Sequence, residues 1–305
     1  MSPPVISVVI PAYGYPAGLD RVLTALTRQE FPAGFEILVV DDGSPVPLEP
    51  VTQPYRDVLN IRYLRLPNRG PARARNTGAR AAEGEWVAFT DHDCEPAPDW
   101  LAQLVREGER SGPVLLGGSR VTGLPENDWS VAHDMLCVFA VGWRSDLSTP
   151  YFSTDNLVAP RIRFLQVGGF DERLQYAHED REFCERWIAH GFEMRSVPAA
   201  VIRHSHGFTR RSFCRQHFRY GESAVEYYQI RNCAGPVWSL AARLRFYSSL
   251  LRCPWRTLKT RCALRISAML ALSQACYACG YYSSLLASRN RRNRSSKPST
   301  RTSHG

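Results

Sequence analysis

The stretch Glu85-Trp86-Val87-Ala88-Phe89-Thr90-Asp91-His92-Asp93-Cys94 decides the fold. Trp86 to Thr90 is apolar and β-favouring, the length of one buried strand. It ends in two carboxylates flanking a histidine. Acidic side chains where a buried strand emerges are costly unless a positive charge meets them. The carboxyl end of a strand is also where open α/β sheets bind their ligands. Side chains repeat every second residue along an extended chain, so Asp91 and Asp93 are expected on one side of it. Two hard oxygen donors so placed can hold magnesium or manganese together with a diphosphate. The competing reading is an ordinary Asp-containing turn.

The segments around this strand repeat its logic. Val5 to Ile10 reads as a buried strand stopped by Pro11, and Leu19, Val22, Leu23 and Leu26 follow at helical spacing. Glu36 to Val40 is a second strand, ending in Asp41-Asp42-Gly43-Ser44. Strand, helix and strand in this order are the signature of a parallel sheet. Ile61 to Leu66 alternates as a third strand. Gly70-Pro71 then turns into an Ala-rich helix that starts with Arg69, Arg73 and Arg75. Arginines at a helix start oppose the helix dipole, so anion binding explains them better than helix stability.

Downstream, Pro98 to Gly108 reads as a helix and Val114 to Gly118 as a strand. Tyr151 to Val158 is expected to be a strand with a polar knot at Asn156. Ile162 to Val167 is a short helix ended by Gly168-Gly169. His178-Glu179-Asp180 opens another helix, whose acids suit its first turn. Ala199 to Ile202 is a last strand running into His204-Ser205-His206. Gly123 to Thr149 has mixed character and receives no assignment.

The 305 residues are 44% hydrophobic, which excludes global disorder. The net charge of +9 is uneven. From His204 onward, 18 Arg and Lys face only Glu222 and Glu226, a net +16, so the preceding part carries −7. The basic part suits anionic lipid, nucleic acid or an anionic substrate. Its apolar stripes, Phe213/His217/Tyr220/Ala224 and Leu240/Leu244/Tyr247/Leu251, lie at helical spacing and favour a membrane surface or partner helix over nucleic acid. Ala263 to Ala287 is long enough to span a bilayer but interrupted by polar residues. The expected organisation is a sheet domain over 1–207, a basic helical region over 208–287 and a disordered tail over 288–305. Nine scattered cysteines, without a secretory leader before the first strand, point to free thiols in a reducing cytosol. Cys276-x-x-Cys279 lies in an apolar segment and reads as packing.

Seven stretches in order resemble the family 2 glycosyltransferases, inverting enzymes with the GT-A fold. They are Val8 to Tyr13, Asp41 to Ser44, Ala74 to Gly78, Glu83 to Trp86, Asp91-His92-Asp93, Gly168 to Asp171 and Glu179-Asp180. Each is weak alone; their order and spacing are specific. The resemblance covers about Pro4 to His206, and more loosely Phe213 to Tyr228. It implies a single mixed, Rossmann-like sheet flanked by helices, followed by the helical basic extension. It further implies a nucleotide-diphosphate sugar as donor, bound by Pro11, Ala12, Tyr13 and Asp42, with Asp41 as a supporting neighbour. Arg69 and Arg75 would lie near base or phosphates, and Asp91 near the ribose. Asp93, with His204 or His206, would hold Mn2+ or Mg2+. Asp180 would be the general base, and Glu179 and Asn156 would meet the acceptor. Gly14 stands where members often carry Asn, and His92 where Asp or Ala is usual.

The function so implied is inverting transfer of a sugar to a hydroxyl of a glycan or lipid-linked acceptor, at the cytoplasmic face of an anionic membrane, peripherally or partly inserted, with no nucleic-acid partner. A nucleotidyltransferase is a second reading, but Pro11 to Leu19 contains no Lys or Arg to form its basic nucleotide loop. A binding module that has lost catalysis is a third; retention of both Asp93 and Asp180 argues against it.

Overall fold

The computed structural model describes residues 4–143, 150–233 and 239–295. In chain order the elements are β1 (Ile6–Ala12), α1 (Pro16–Leu26), β2 (Phe35–Asp41), α2 (Glu49–Thr52), β3 (Ile61–Arg65), α3 (Pro71–Ala81), β4 (Trp86–Phe89), β5 (Cys94–Pro96), α4 (Trp100–Ser111), β6 (Leu115–Thr122), α5 (Asp128–Gly142), β7 (Leu157–Pro160), α6 (Arg161–Val167), α7 (Glu179–Ala189), β8 (Met194–His204), α8 (Arg210–Ile230), α9 (Leu240–Arg252) and α10 (Thr260–Ser295).

The strands form one sheet in the order β3-β2-β1-β4-β7-β6-β8-β5. Its first four strands are parallel, as strand–helix–strand crossovers require. β7 runs antiparallel to β4 and β6, so the sheet is mixed, as expected of the GT-A fold. Alternation along β1 sends Val8 and Ile10 to one face and Val9 to the other. The first face packs on α1 and α4 through Leu19, Leu23, Trp100 and Leu104. The second packs on α3, α6 and α7 through Ala74, Phe164, Phe183 and Trp187. Burial on both faces explains why these strands read as unbroken apolar runs.

One sequence expectation needs correction, and one open stretch is filled. Tyr151 to Val158 is not one strand: Thr154–Asn156 is a 3-10 turn and β7 begins only at Leu157. The unassigned stretch Gly123 to Thr149 contains a helix, α5; residues 144–149 lie outside the described residues. The Oδ1 of Asn127 accepts hydrogen bonds from the amides of Trp129 and Ser130 and so starts α5. That N-cap was the available signal.

The basic region is helical and packs on the sheet domain through α5. Ala132 of α5, Phe208, Phe213 of α8, Leu250 of α9, and Ile266 and Leu270 of α10 form a third buried cluster. Helices α8 and α10 touch backbone to backbone at Gly221 and Gly280. A Cβ at Gly221 would meet the Tyr277 carbonyl, and one at Gly280 the Phe218 carbonyl. Thr209 and Ser212 form a capping box at the start of α8. Helix α10 is long and apolar enough to cross a membrane over Thr260–Ser288, by length and composition. It continues to Ser295, so the tail expected to be disordered from Ser288 begins as helix; residues 296–305 lie outside the described residues.

Candidate active site

The candidate residues gather at the carboxyl ends of β1, β2 and β4. β1 delivers Pro11 and Ala12 to the rim, and Tyr13 follows, 49% exposed. The loop then turns at Gly14 with φ +63°, a conformation that glycine adopts freely and Asn tolerates best among other residues. A Cβ there meets nothing within 4 Å, so the Gly-for-Asn departure costs the loop no packing. The His92 ring places Nδ1 3.2 Å from the Pro11 carbonyl and packs edge-on against Tyr15, tying the two loops together.

The two acids that follow β2 have different tasks. Asp42 lines the cavity, and its oxygens accept from the amides of Arg69 and Gly70 at 3.0 and 2.8 Å. Burial raises its carboxyl pKa above the ordinary value, against the lowering effect of those amides. Asp41 is wholly buried and accepts from Ser44 N, Leu48 N and the Tyr63 hydroxyl. Expected as a supporting neighbour of Asp42, it holds the turn after β2 and does not itself line the cavity. Arg69 is likewise not on the main cavity. Its backbone amide is used by Asp42, and its side chain lines a neighbouring recess with Arg73, Asp171 and Arg173.

Past β4 the chain turns, so Asp91 and Asp93 part instead of sharing one side. Asp91 bonds to Arg75 Nη2 at 2.6 Å, and Nη1 of the same guanidinium bonds to Glu179 at 2.9 Å. Arg75 is 3% exposed. The expected anion for this arginine is therefore in the first place protein: it joins the end of β4 to the start of α7. A buried guanidinium held by two carboxylates fixes their geometry, since removing any one leaves an unpaired buried charge.

Asp93 faces the other way. β5 pairs antiparallel with β8 in the register Cys94 to His204, which brings both late histidines beside it. The Oδ2 of Asp93 lies 3.1 Å from His206 Nδ1 and 3.8 Å from His204 Nε2. His204 Nδ1 is 2.7 Å from Asp134 Oδ1. With Nδ1–H donated to Asp134, Nε2 presents its lone pair toward Asp93. Asp134 in turn lies 3.6 Å from Arg120, which also bonds Asp155. Burial alone would raise Asp93; the hydrogen bond from His206 and the nearby imidazoles outweigh it and hold the carboxyl well below the usual range. Asp93, Cys94 and His204 bring their ligand atoms within 4.8 Å of one another, a set that could hold a metal ion, and His206 adjoins it through its contact with Asp93. Burial and the adjacent aspartates push the Cys94 thiol pKa well up.

Helix α7 brings Glu179 and Asp180 to the same cavity. The preceding His178 has φ +73°, a strained conformation for a residue with a side chain. Burial raises Asp180 to about 7, and the Glu179 charge adds to the shift. Glu179 is also raised, by burial first, against the pull of Arg75. Its Oε2 is buried without a hydrogen-bond partner among the described residues.

One cavity of about 1400 Å3 joins these groups: Pro11, Tyr13, Asp42, Asp91, Asp93, Glu179, Asp180 and His206 all line it. Asn156 does not. Its Oδ1 accepts from Trp100 Nε1 at 2.8 Å, and its Nδ2 donates to the carbonyls of Ser119 and Ala200, both at 2.9 Å. With the residue 4% exposed, the expected acceptor contact is corrected to a clamp between α4, β6 and β8. The sequence reading missed Asp134 and Arg120, which hold His204, and the helical wall supplied by α5, α8, α9 and α10. Asp134 and Arg120 lie outside the seven motif stretches, and the helical stripes of α8 and α9 gave no sign of the cavity they would line.

Residues 7–181 match the family described as Glycosyl transferase family 2. A pre-mycofactocin glycosyltransferase of Mycobacterium tuberculosis is 33% identical over 233 residues, covering 72% of this chain and 47% of that protein. A validoxylamine A glucosyltransferase of Streptomyces hygroscopicus is 33% identical over 237 residues, covering 67% and 51%. The chain thus spans about half the length of these relatives. Among solved structures, a mannosyltransferase of Pyrobaculum calidifontis in complex with GDP-Man and Mn2+ superposes with a TM-score of 0.59 at 20% identity, covering 96% of this chain and 81% of that one. S. aureus TarS in complex with UDP-GlcNAc superposes with a TM-score of 0.51 at 16% identity, covering 94% and 92%. These structural likenesses bear on the fold.

Proposed function

The chain belongs to glycosyl transferase family 2, and on that premise we propose that it moves a sugar from a nucleotide-diphosphate sugar to an acceptor hydroxyl, with inversion at the anomeric carbon. The observation that carries this reading is that one cavity is lined both by Asp93, a member of the candidate metal set, and by Asp180, a carboxylate with a raised pKa. Transfer needs both, on opposite sides of the reacting carbon.

In this reading Tyr13 covers the nucleotide base, and Pro11, Ala12 and Asp42 line its pocket. Asp93, His204 and His206 would hold Mn2+ or Mg2+. The ion, when bound, neutralises the charge that builds on the departing diphosphate. Arg75 holds Asp91 and Glu179 beside each other where both line the cavity. Asp180 takes the proton from the acceptor hydroxyl as its oxygen attacks. A base that titrates near neutrality suits this step, because it is both available and strong enough at pH 7 to 8. Glu179 Oε2 is free to accept a second acceptor hydroxyl.

Attachment to the cytoplasmic side of an anionic membrane belongs to the same proposal. The +16 region from His204 onward supports it, as do Leu240, Leu244 and Leu264, which lie more than half exposed beside it.

The test is the purified chain with Mn2+ and a panel of UDP- and GDP-sugars. We expect saturable binding of at least one donor, its slow hydrolysis, and release of a sugar of inverted anomeric configuration by NMR. Absence of binding across the panel, or retained configuration, contradicts the reading.

A further inference from the structure

Four arginines line the cavity: Arg75, Arg120, Arg181 and Arg243. Two of them are fully engaged by protein. Arg75 is held by Asp91 and Glu179, and Arg120 by Asp155 and Asp134. Arg181, the residue after Asp180, is held differently. Its backbone amide donates to Asp180 Oδ1 at 2.7 Å, while its guanidinium meets another carboxylate, Glu185. Nε lies 3.4 Å from Glu185 Oε1 and makes no hydrogen bond among the described residues.

Glu185 is already in use. Its Oε2 lies 3.0 Å from Arg231 Nε, and its Oε1 accepts from the Tyr227 hydroxyl. One carboxylate therefore serves two guanidinium groups. The Arg181 side chain is only 27% exposed. A mostly buried cation with an incomplete counter-charge is costly unless a ligand completes it.

The surroundings of Arg181 are hydroxyl groups. Tyr227 stacks under the guanidinium, its ring centroid 5.4 Å from Cζ. Tyr151, ahead of β7, and Tyr228 of α8 lie close enough to act on the Arg181 charge, and Arg181 acts in turn on Tyr277 of α10. Tyr151, Tyr228 and Tyr277 all line the cavity, and their hydroxyls have no hydrogen-bond partner among the described residues. Four separate segments thus bring one guanidinium and three phenol O–H groups to one part of the wall. Arg243 of α9 adds a second cation to the same cavity, without a carboxylate partner among the described residues. Donors gathered around a positive charge match an anion, and the guanidinium fork matches the paired oxygens of a carboxylate or phosphate.

We propose that the acceptor is anionic: besides the hydroxyl presented to Asp180, it carries a carboxylate or phosphate group that seats on the Arg181 guanidinium and the hydroxyls of Tyr228 and Tyr277. The proposal rests on the glycosyl-transfer reading above. Arg181 and Asp180 are consecutive on α7, so an anion held by the first brings a hydroxyl of the same molecule to the second. A neutral acceptor leaves the buried guanidinium incompletely paired, which makes Arg181 a specificity-determining residue.

The test is titration of the full chain with glucuronate, glucose 6-phosphate and glucose, followed by calorimetry and by NMR of the arginine Nε–H groups. Chelator is present, so that no metal captures the anions. At least one anionic probe is expected to shift the Arg181 signal saturably and to bind about tenfold or more tightly than glucose, the scale of one charged hydrogen bond. The better of the two anions tells a carboxylate acceptor from a phosphorylated one. Arg181→Gln is expected to abolish the preference, and Arg181→Lys, which keeps the charge and loses the fork, to keep part of it. Glu185 retains Arg231 and Tyr227 in both variants. If Arg181→Gln does not fold by circular dichroism, the double variant Tyr228→Phe, Tyr277→Phe gives the reading, with a weakened preference expected. Anions that bind no better than glucose overturn the proposal. So does an unchanged preference in a folded variant. Donor binding with Mn2+, measured in parallel, separates the two readings. Wild-type donor binding without anion preference rejects the anionic acceptor alone; anion binding without donor binding rejects sugar transfer. Donor affinity lost in Arg181→Gln would give Arg181 to the donor diphosphate and also overturn the proposal.

Discussion

His204 and Asp134, seventy residues apart in the chain, meet at 2.7 Å through Nδ1 and Oδ1. Asp134 thereby selects the imidazole tautomer whose Nε2 faces Asp93. Outer partners of metal-binding histidines typically contribute roughly 10–100-fold to metal affinity. Asp134→Ala is expected to weaken Mn2+ binding by about that factor, read by electron paramagnetic resonance without any substrate. Nitrogen-15 NMR should show His204 moving from the Nδ1–H to the Nε2–H form. An unchanged tautomer and unchanged Mn2+ affinity would reduce Asp134 to packing.

Asp93 is the anionic member of the same cluster. Asp93→Ala removes the charge that faces a diphosphate and its ion. Metal-dependent donor binding is expected to disappear in this variant, and in the wild type on adding a chelator. Full transfer activity in excess chelator would refute the ion.

Asp180→Asn keeps size but cannot take a proton. General-base catalysis is worth roughly 10²–10⁴-fold, and turnover should fall by about that much with donor affinity little changed. In the wild type, the rate should rise about tenfold per pH unit toward a plateau above about 7, where Asp180 is deprotonated. A product assay across pH 5 to 9, beside donor calorimetry, measures both.

Stability should move the other way. An aspartate titrates near about 3.9 in an unfolded chain and about 7 here. The folded chain therefore holds the extra proton between those values. The stability from the neutral carboxyl is full below about pH 4 and is lost as pH rises through about 7. Asp180→Asn keeps that stability at all pH values. It should melt above the wild type at pH 8 and level with it at pH 4, by differential scanning calorimetry.

Asn156→Ala leaves the Trp100 indole N–H and the carbonyls of Ser119 and Ala200 without their partner inside the protein. Unsatisfied buried groups cost about 1–3 kcal/mol each. The variant should lose about 3 kcal/mol or more in urea unfolding. Unchanged stability with a raised acceptor KM would return Asn156 to the acceptor site.

The sequence alone determined the sheet and the end at which its polar residues emerge. Apolar runs long enough for one strand, each followed by acids or by Pro, fixed which segments are buried and at which end their polar residues emerge. Hence Tyr13, Asp42, Asp93 and Asp180 were legible: each follows an element boundary with a strong local signal. The tertiary structure alone decided the partners. Asp41 and Asp42 are neighbours of one residue type, yet one is sealed under Tyr63 and the other opens to the cavity, because β2 ends between them. Asn156 read as a polar knot suited to a ligand, and only the crossing of α4, β6 and β8 showed that its amide is fully used. The pairing of β5 with β8 brought His204 and His206 to Asp93 across more than a hundred residues. Helix α5, with Asp134 and part of the cavity wall, lay in a stretch without periodicity. Local sequence encodes burial and turns, which depend on a residue and its near neighbours. Ion-pair choice and cavity walls depend on chain crossings, which no local pattern records.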